Sequence, residues 1–152
     1  MIRVLVVRHS DAGERSEWRG DDRVRPLTDA GRDQAERLAQ SLDGQPLSQV
    51  LTSGYARCVQ TVAPLATRRG LEVEVAPWLE EGADPVATLQ TLMARGDALA
   101  CTHGDVVSGI LFELADRGVS IGTSPRMQKG STWVLDVENG AVAAARYLPP
   151  PA

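Results

Sequence analysis

Short runs of β-branched and other apolar residues recur along this chain, and stretches of helical periodicity separate them. Residues 3–8 form one run, Ser48–Thr52 a second and Ala98–Thr102 a third. A chain that alternates between a two-residue and a 3.6-residue hydrophobic period has few architectures open to it. Each apolar run reads as a buried strand, and each amphipathic stretch as a helix that crosses over to the next parallel strand. The pattern breaks only at the end. Ser131–Val137 and Ala141–Leu148 flank Asn139-Gly140, the strongest short-range signal for a tight hairpin. The expected fold is therefore α/β, a three-layer α/β/α sandwich with a mostly parallel sheet and an antiparallel edge hairpin.

The helices have readable ends. Thr28 caps one of about fifteen residues, with Ala35, Leu38, Ala39 and Leu42 on one face; Gly44 and Pro46 end it. Tyr55 to about Arg69 is a second, closed by Gly70, in which Pro64 implies a kink or break. Val86–Arg95 and Asp105–Arg117 are the third and fourth. Leu71–Val75 alternates Glu72 and Glu74 with apolar residues, as an edge strand does. Residues 10–27, Pro77–Pro85 and 118–130 read as loops, the first long enough to suggest a functional role. Residues 1–148 make one domain, and 149–152 a tail.

Only two histidines occur, and each terminates an apolar strand: His9 after Val-Leu-Val-Val-Arg8, His103 after Ala-Leu-Ala-Cys101-Thr102. In parallel sheets, ligands bind where strand ends give way to loops and helix starts. Arg57 lies in the first turn of the second helix, where an anion meets both a guanidinium and unpaired backbone N–H groups. Gly104 allows a tight turn after His103 into another helix start. Two arginines, two histidines and two helix N-termini at one sheet edge make an oxyanion site.

Composition narrows the options. The 152 residues suit one core; 43% are hydrophobic but only 4% aromatic, so Leu, Val and Ala must fill it. The net charge of -4 argues against a nucleic-acid binder. Cys58 and Cys101 show no metal spacing and read as buried thiols in a reducing compartment. No Asp, Glu, His or Cys cluster has ligand spacing, so no metal and no cofactor are expected. The N-terminus runs straight into a strand, with neither a cleavable leader nor a bilayer-spanning stretch, which points to the cytoplasm and away from a membrane. Oligomeric state is not legible.

Arg8-His9-Ser10, the segment Ser53…Arg57…Gln60-Thr61 and Thr102-His103-Gly104 resemble, in order and spacing, the histidine phosphatase (phosphoglycerate-mutase-like) superfamily. Arg25-Pro26-Leu27-Thr28 is similar to SixA-type phosphohistidine phosphatases. Gly20-Asp21-Asp22 and Lys129-Gly130-Ser131-Thr132-Trp133 are most similar to the histidine-phosphatase domain appended to some MutT-like Nudix hydrolases. No Nudix box is present, which implies a domain that stands alone.

The resemblance implies that His9 attacks phosphorus, while Arg8, Arg57 and His103 hold the phosphoryl oxygens, without a metal. It also implies a general acid after the third strand, where Leu79-Glu80-Glu81-Gly82 stands; Glu81 aligns better, and Glu80 remains open. Ser10 departs from the family's usual glycine and places a hydroxyl near the phosphate. Arg25 and Gly104 are further candidate substrate contacts. Arg15, Trp18, Trp78 and Lys129 are weaker ones, more in keeping with solvation or packing. The leading function is a metal-independent phosphatase acting on a phosphohistidine protein or on a small phosphoester or nucleotide. A phosphoglycerate-type mutase and a non-catalytic phosphate-binding module are the alternatives.

Overall fold

The computed structural model describes residues 1–123 and 125–152. Its strands are β1 (Ile2–Arg8), β2 (Gln49–Thr52), β3 (Val73–Val75), β4 (Ala98–Thr102), β5 (Thr132–Glu138) and β6 (Ala141–Leu148). Its helices are α1 (Asp29–Ser41), α2 (Ala56–Arg69), α3 (Pro85–Arg95) and α4 (Gly104–Asp116). The strands form one sheet in the order β3-β2-β4-β1-β5-β6. The first four positions are parallel, and β5 and β6 add as antiparallel neighbours on the β1 side.

The period-2 alternation of the two central strands builds both interiors. Val4 and Val6 of β1, with Ala98 and Ala100 of β4, face a core completed by Leu89 and Leu92 of α3 and by the apolar face of α4. Leu5 and Val7, with Leu99 and Cys101, face the opposite core under α1 and α2. Both central strands are thus apolar on both faces, as a sheet covered on both sides requires. The hairpin forms where the sequence places it. Asn139 and Gly140 both adopt positive φ, at 52° and 76°, the backbone of a primed two-residue turn.

Some expectations need correction. α2 runs unbroken through Pro64. Cys58, Val62 and Leu65 lock the helix onto the sheet on either side of the proline. Gln60 and Pro64 border an open groove of 740 Å³ between α1 and α2, so the carbonyl that lacks an amide partner can be hydrated. The edge strand is shorter than its alternation suggests, pairing only over Val73–Val75. The loops at 10–27 and 77–85 contain single turns of 3-10 helix at Arg15–Glu17, Asp22–Val24 and Pro77–Leu79. Of the 118–130 loop, Ser124 lies outside the described residues. Among the described residues, no helix is long and apolar enough to cross a membrane.

Because β1 and β4 are parallel neighbours with Arg8 registered against Thr102, the residues that follow them emerge side by side. Those residues are His9 and His103.

Candidate active site

The end of β1 is fixed from three directions. The His9 amide donates to the Thr102 carbonyl at 3.1 Å. The Gly130 amide donates to both the Arg8 and His9 carbonyls, at 3.0 and 3.1 Å. The Ser10 amide donates to Thr61 Oγ1 at 2.9 Å, and the Thr61 hydroxyl donates back along α2 to the Arg57 carbonyl at 2.7 Å. The strand that leads into His9 and the helix that carries Arg57 are therefore held in register by one threonine.

The two imidazoles lie 5.5 Å apart, edge to face. His9 Nδ1 sits 2.8 Å from the Ser10 carbonyl oxygen. A carbonyl only accepts, so Nδ1 carries the proton and Nε2 keeps its lone pair. His9 is buried, and burial is the main cause that pulls its pKa from 6.5 down to about 3; Arg57, His103 and Arg8 add to this, against the Ser10 hydrogen bond. The ring is thus neutral at physiological pH. His103 Nε2 lies 2.8 Å from Ser53 Oγ. That hydroxyl also accepts from the Tyr55 amide at 3.3 Å; when it gives its proton to His103 Nε2, the imidazole N–H lies on Nδ1.

The arginines are anchored by the scaffold. Arg8 donates through Nη1 to the Met127 carbonyl at 2.9 Å. Its guanidinium lies directly over the start of α4. A Cβ at Gly104 would stand 3.0 Å from Arg8 Cζ, so a larger residue there would press on the guanidinium and shift it. Arg57, 1% exposed, is stacked 4.9 Å over the Tyr55 ring and gives both terminal nitrogens to Asp22. Among the residues of this site, three buried nitrogens remain without a partner: Arg8 Nε, Arg57 Nε and His103 Nδ1. All three belong to residues that line one cleft of 480 Å³, which His9 also lines. Buried donors are almost always satisfied in native proteins, and an anion accepts from all three.

The remaining candidates separate. Glu81 lines this cleft and pairs with Arg15, with Arg57 Nη2 3.7 Å away. Glu80 turns out of the cleft to Arg23 at 3.0 Å. Arg25 lines the cleft; its Nε donates to Asp22 at 2.9 Å and its Nη1 to the Ala12 and Gly13 carbonyls at 2.7 and 3.1 Å. Ser10 is fully buried and does not line the cleft. Arg15 and Lys129 sit on the cleft wall, and Lys129 lies 3.7 Å from Asp11. Trp18 borders a separate hollow of 210 Å³, and Trp78 packs against the α3–α4 core. Among the described residues no group of three His, Cys, Asp or Glu side chains is placed to hold a metal ion.

Sequence reasoning missed Asp22. It is the one residue bound to both Arg25 and Arg57, yet in Gly20-Asp21-Asp22-Arg23 it looks like ordinary loop polarity. Its only signal was an acid placed three residues before a candidate arginine. The supporting hydroxyl of Thr61 was also unassigned.

Known proteins resemble this chain in sequence and fold. The sequence model of the histidine phosphatase superfamily (branch 1) matches residues 4–84. An 8-oxo-(d)GTP phosphatase of Mycolicibacterium smegmatis is 37% identical over 155 aligned positions, covering 97% of this chain and 48% of that protein. A probable phosphoglycerate mutase, GpmB, of Photorhabdus laumondii is 31% identical over 86, covering 53% of this chain and 38% of its own. The chain thus spans about half the length of the first of these curated relatives, and less of the second. Among solved structures, the protein histidine phosphatase SixA complexed with tungstate superposes with a TM-score of 0.75 at 26% identity, over 97% of this chain and 94% of that one. With more than half of its residues inside the family model and its whole fold matched, the chain belongs to the histidine phosphatase superfamily, branch 1.

Proposed function

We propose that this chain is a phosphatase that works through a covalent phosphohistidine on His9, without a metal ion. The observation that carries this reading is the set of three unpartnered buried donors around an imidazole whose Nδ1 is already tied to a carbonyl. A phosphoryl group bound there takes hydrogen bonds from Arg8 Nε, Arg57 Nε and His103 Nδ1. These fixed donors meet the charge on the equatorial oxygens as the bond to the leaving group loosens. His9 Nε2 supplies the electron pair: the N–P bond forms as the P–O bond breaks. Glu81 gives the departing oxygen its proton. Water then attacks the phosphohistidine, Glu81 takes the water proton, and orthophosphate leaves with His9 again neutral.

Water access favours hydrolysis over mutase chemistry. The Glu81 side chain is 33% exposed, so the intermediate is open to solvent. The substrate class is a small phosphoester or nucleotide, or a phosphohistidine protein. The nucleotide option draws on the relative named for 8-oxo-(d)GTP, and the protein option on SixA. Residues 1–148 form the phosphatase domain, with 149–152 as a tail. The cytoplasm suits Cys58 and Cys101, which are both free thiols.

The test is a panel of p-nitrophenyl phosphate, nucleotides and a phosphohistidine peptide with wild type and His9→Ala. His9→Ala is expected to lose at least about three orders of magnitude in kcat. Wild type is expected to trap an acid-labile, alkali-stable label. Near-normal turnover in His9→Ala refutes the mechanism.

A further inference from the structure

We infer that Asp22 is a positioning residue for phosphoryl transfer: it sets the orientation of the Arg57 guanidinium and ties it to the loop that follows His9. The inference rests on the reading above that Arg57 holds the phosphoryl group.

Asp22 takes the whole outer edge of Arg57. Its main-chain carbonyl accepts from Arg57 Nη1 at 2.9 Å, and its Oδ2 accepts from Nη2 at 3.0 Å. Two bonds from one residue to the two ends of a planar fork fix the plane as well as the place. Nε is left buried and unpartnered. Each terminal nitrogen keeps a second hydrogen, so Arg57 presents these and Nε–H in one fixed plane, where a free guanidinium would turn.

The other carboxylate oxygen reaches the nucleophile side. Asp22 Oδ1 accepts from Arg25 Nε at 2.9 Å. Arg25 Nη1 in turn donates to the Ala12 and Gly13 carbonyls, in the loop three and four residues beyond His9. A continuous chain of bonds thus runs from the His9 loop through Arg25 and Asp22 to Arg57. Asp22 is itself held. Asp21 Oδ1 accepts from the Arg23 amide at 2.9 Å, and the Asp21 carbonyl accepts from Trp18 Nε1 at 3.0 Å. This gives the exposed Trp18 a role in bracing the turn. Asp22 also supplies the nearest negative charge to Arg57, with Glu81 at 3.7 Å the next. A buried cation without a partner is costly, so the pair is kept together for stability and orientation at once.

The opposite view is that Asp22 occupies Arg57 and competes with the phosphoryl group. The two views predict opposite signs. Tungstate serves as a non-reacting oxyanion probe, with affinity read by calorimetry and turnover read on p-nitrophenyl phosphate. The proteins are wild type, D22N, R57A and D22N/R57A. Positioning predicts that D22N weakens tungstate binding about tenfold and lowers kcat about 10- to 100-fold, while KM changes less than kcat. In the R57A background, D22N is then expected to change either quantity less than twofold, because its effect passes through Arg57. Tighter tungstate binding in D22N overturns the proposal in favour of competition. An equal loss in the R57A background overturns it in favour of a purely structural role. If R57A itself binds tungstate and turns over like wild type, the phosphate-site reading fails and the proposal with it. If D22N does not fold, D22E keeps the charge and moves the carboxylate outward. Positioning predicts a kcat loss there too, and a kcat within twofold of wild type overturns it.

Discussion

His9 makes folding stability depend on pH. In the folded chain its pKa falls from 6.5 to about 3, chiefly through burial. The folded pKa of a base is depressed, so the unfolded chain takes up the proton first. Stability is complete above pH 6.5 and drains away as the pH falls towards 3. The full loss is on the order of 5 kcal/mol, and the part between pH 7 and pH 5 is roughly 2 kcal/mol. The perturbation is His9→Gln, which removes the titrating ring and keeps a donor for the Ser10 carbonyl. Urea unfolding at pH 7 and pH 5 measures it. Wild type is expected to lose roughly 2 kcal/mol more than His9→Gln between the two pH values. Asp11 and Asp22 are also shifted, both downward. Their protonation in the unfolded chain begins near pH 4, and they are common to both proteins, so they cancel. Parallel pH dependence in wild type and variant refutes the claim that His9 is held neutral. It would also remove the reason for a ready lone pair on Nε2.

Three further outcomes follow from the geometry. Glu81→Gln is expected to slow an alkyl phosphate by about 10²–10⁴-fold while sparing p-nitrophenyl phosphate, whereas Glu80→Gln spares both; equal effects of Glu81→Gln on both substrates reassign it to binding. Gly31→Ala places a methyl 2.0 Å from the Asp11 carbonyl oxygen, so it is expected to destabilise by about 1–3 kcal/mol in urea unfolding, despite alanine's better helix propensity. Ser10→Gly is expected to leave KM within about twofold, since the hydroxyl lies off the cleft; a tenfold rise would show that it reaches the substrate.

The fold was legible because its signals are local and agree. Both central strands are apolar on both faces, Thr28 accepts from the Gly31 amide as an N-cap should, and Asn139-Gly140 turns as its residue types require. The site's centre was legible because each histidine follows a strand, and strand order then did the rest. Other features depended on distance through space. Nothing near Pro64 in sequence reveals that the sheet holds α2 straight. Alignment favours Glu81 over its neighbour Glu80 without deciding between them; what separates them is which arginine each meets, Arg15 or Arg23. Asp22 was hidden for the same reason, since its partner Arg57 is 35 residues away.

The serine at position 10 shows how a family pattern can shift without losing the site. A glycine directly after the first histidine, the family's usual residue, would leave room where the chain turns. Here Ser10 has no positive φ, so its backbone does not demand glycine. The required freedom appears at Gly130, which has φ +82° and lies against Ser10. A Cβ added there would stand 3.6 Å from Ser10 Oγ, and the Gly130 amide is the one that holds both the Arg8 and His9 carbonyls. The second close approach, Arg8 over the start of α4, falls at Gly104. Gly130 is thus called for by its backbone conformation, and the facing loop packs on Ser10 at ordinary contact distance. The cost is a buried Ser10 hydroxyl with no partner, about 1–3 kcal/mol. That cost falls on stability and leaves the donors around His9 untouched.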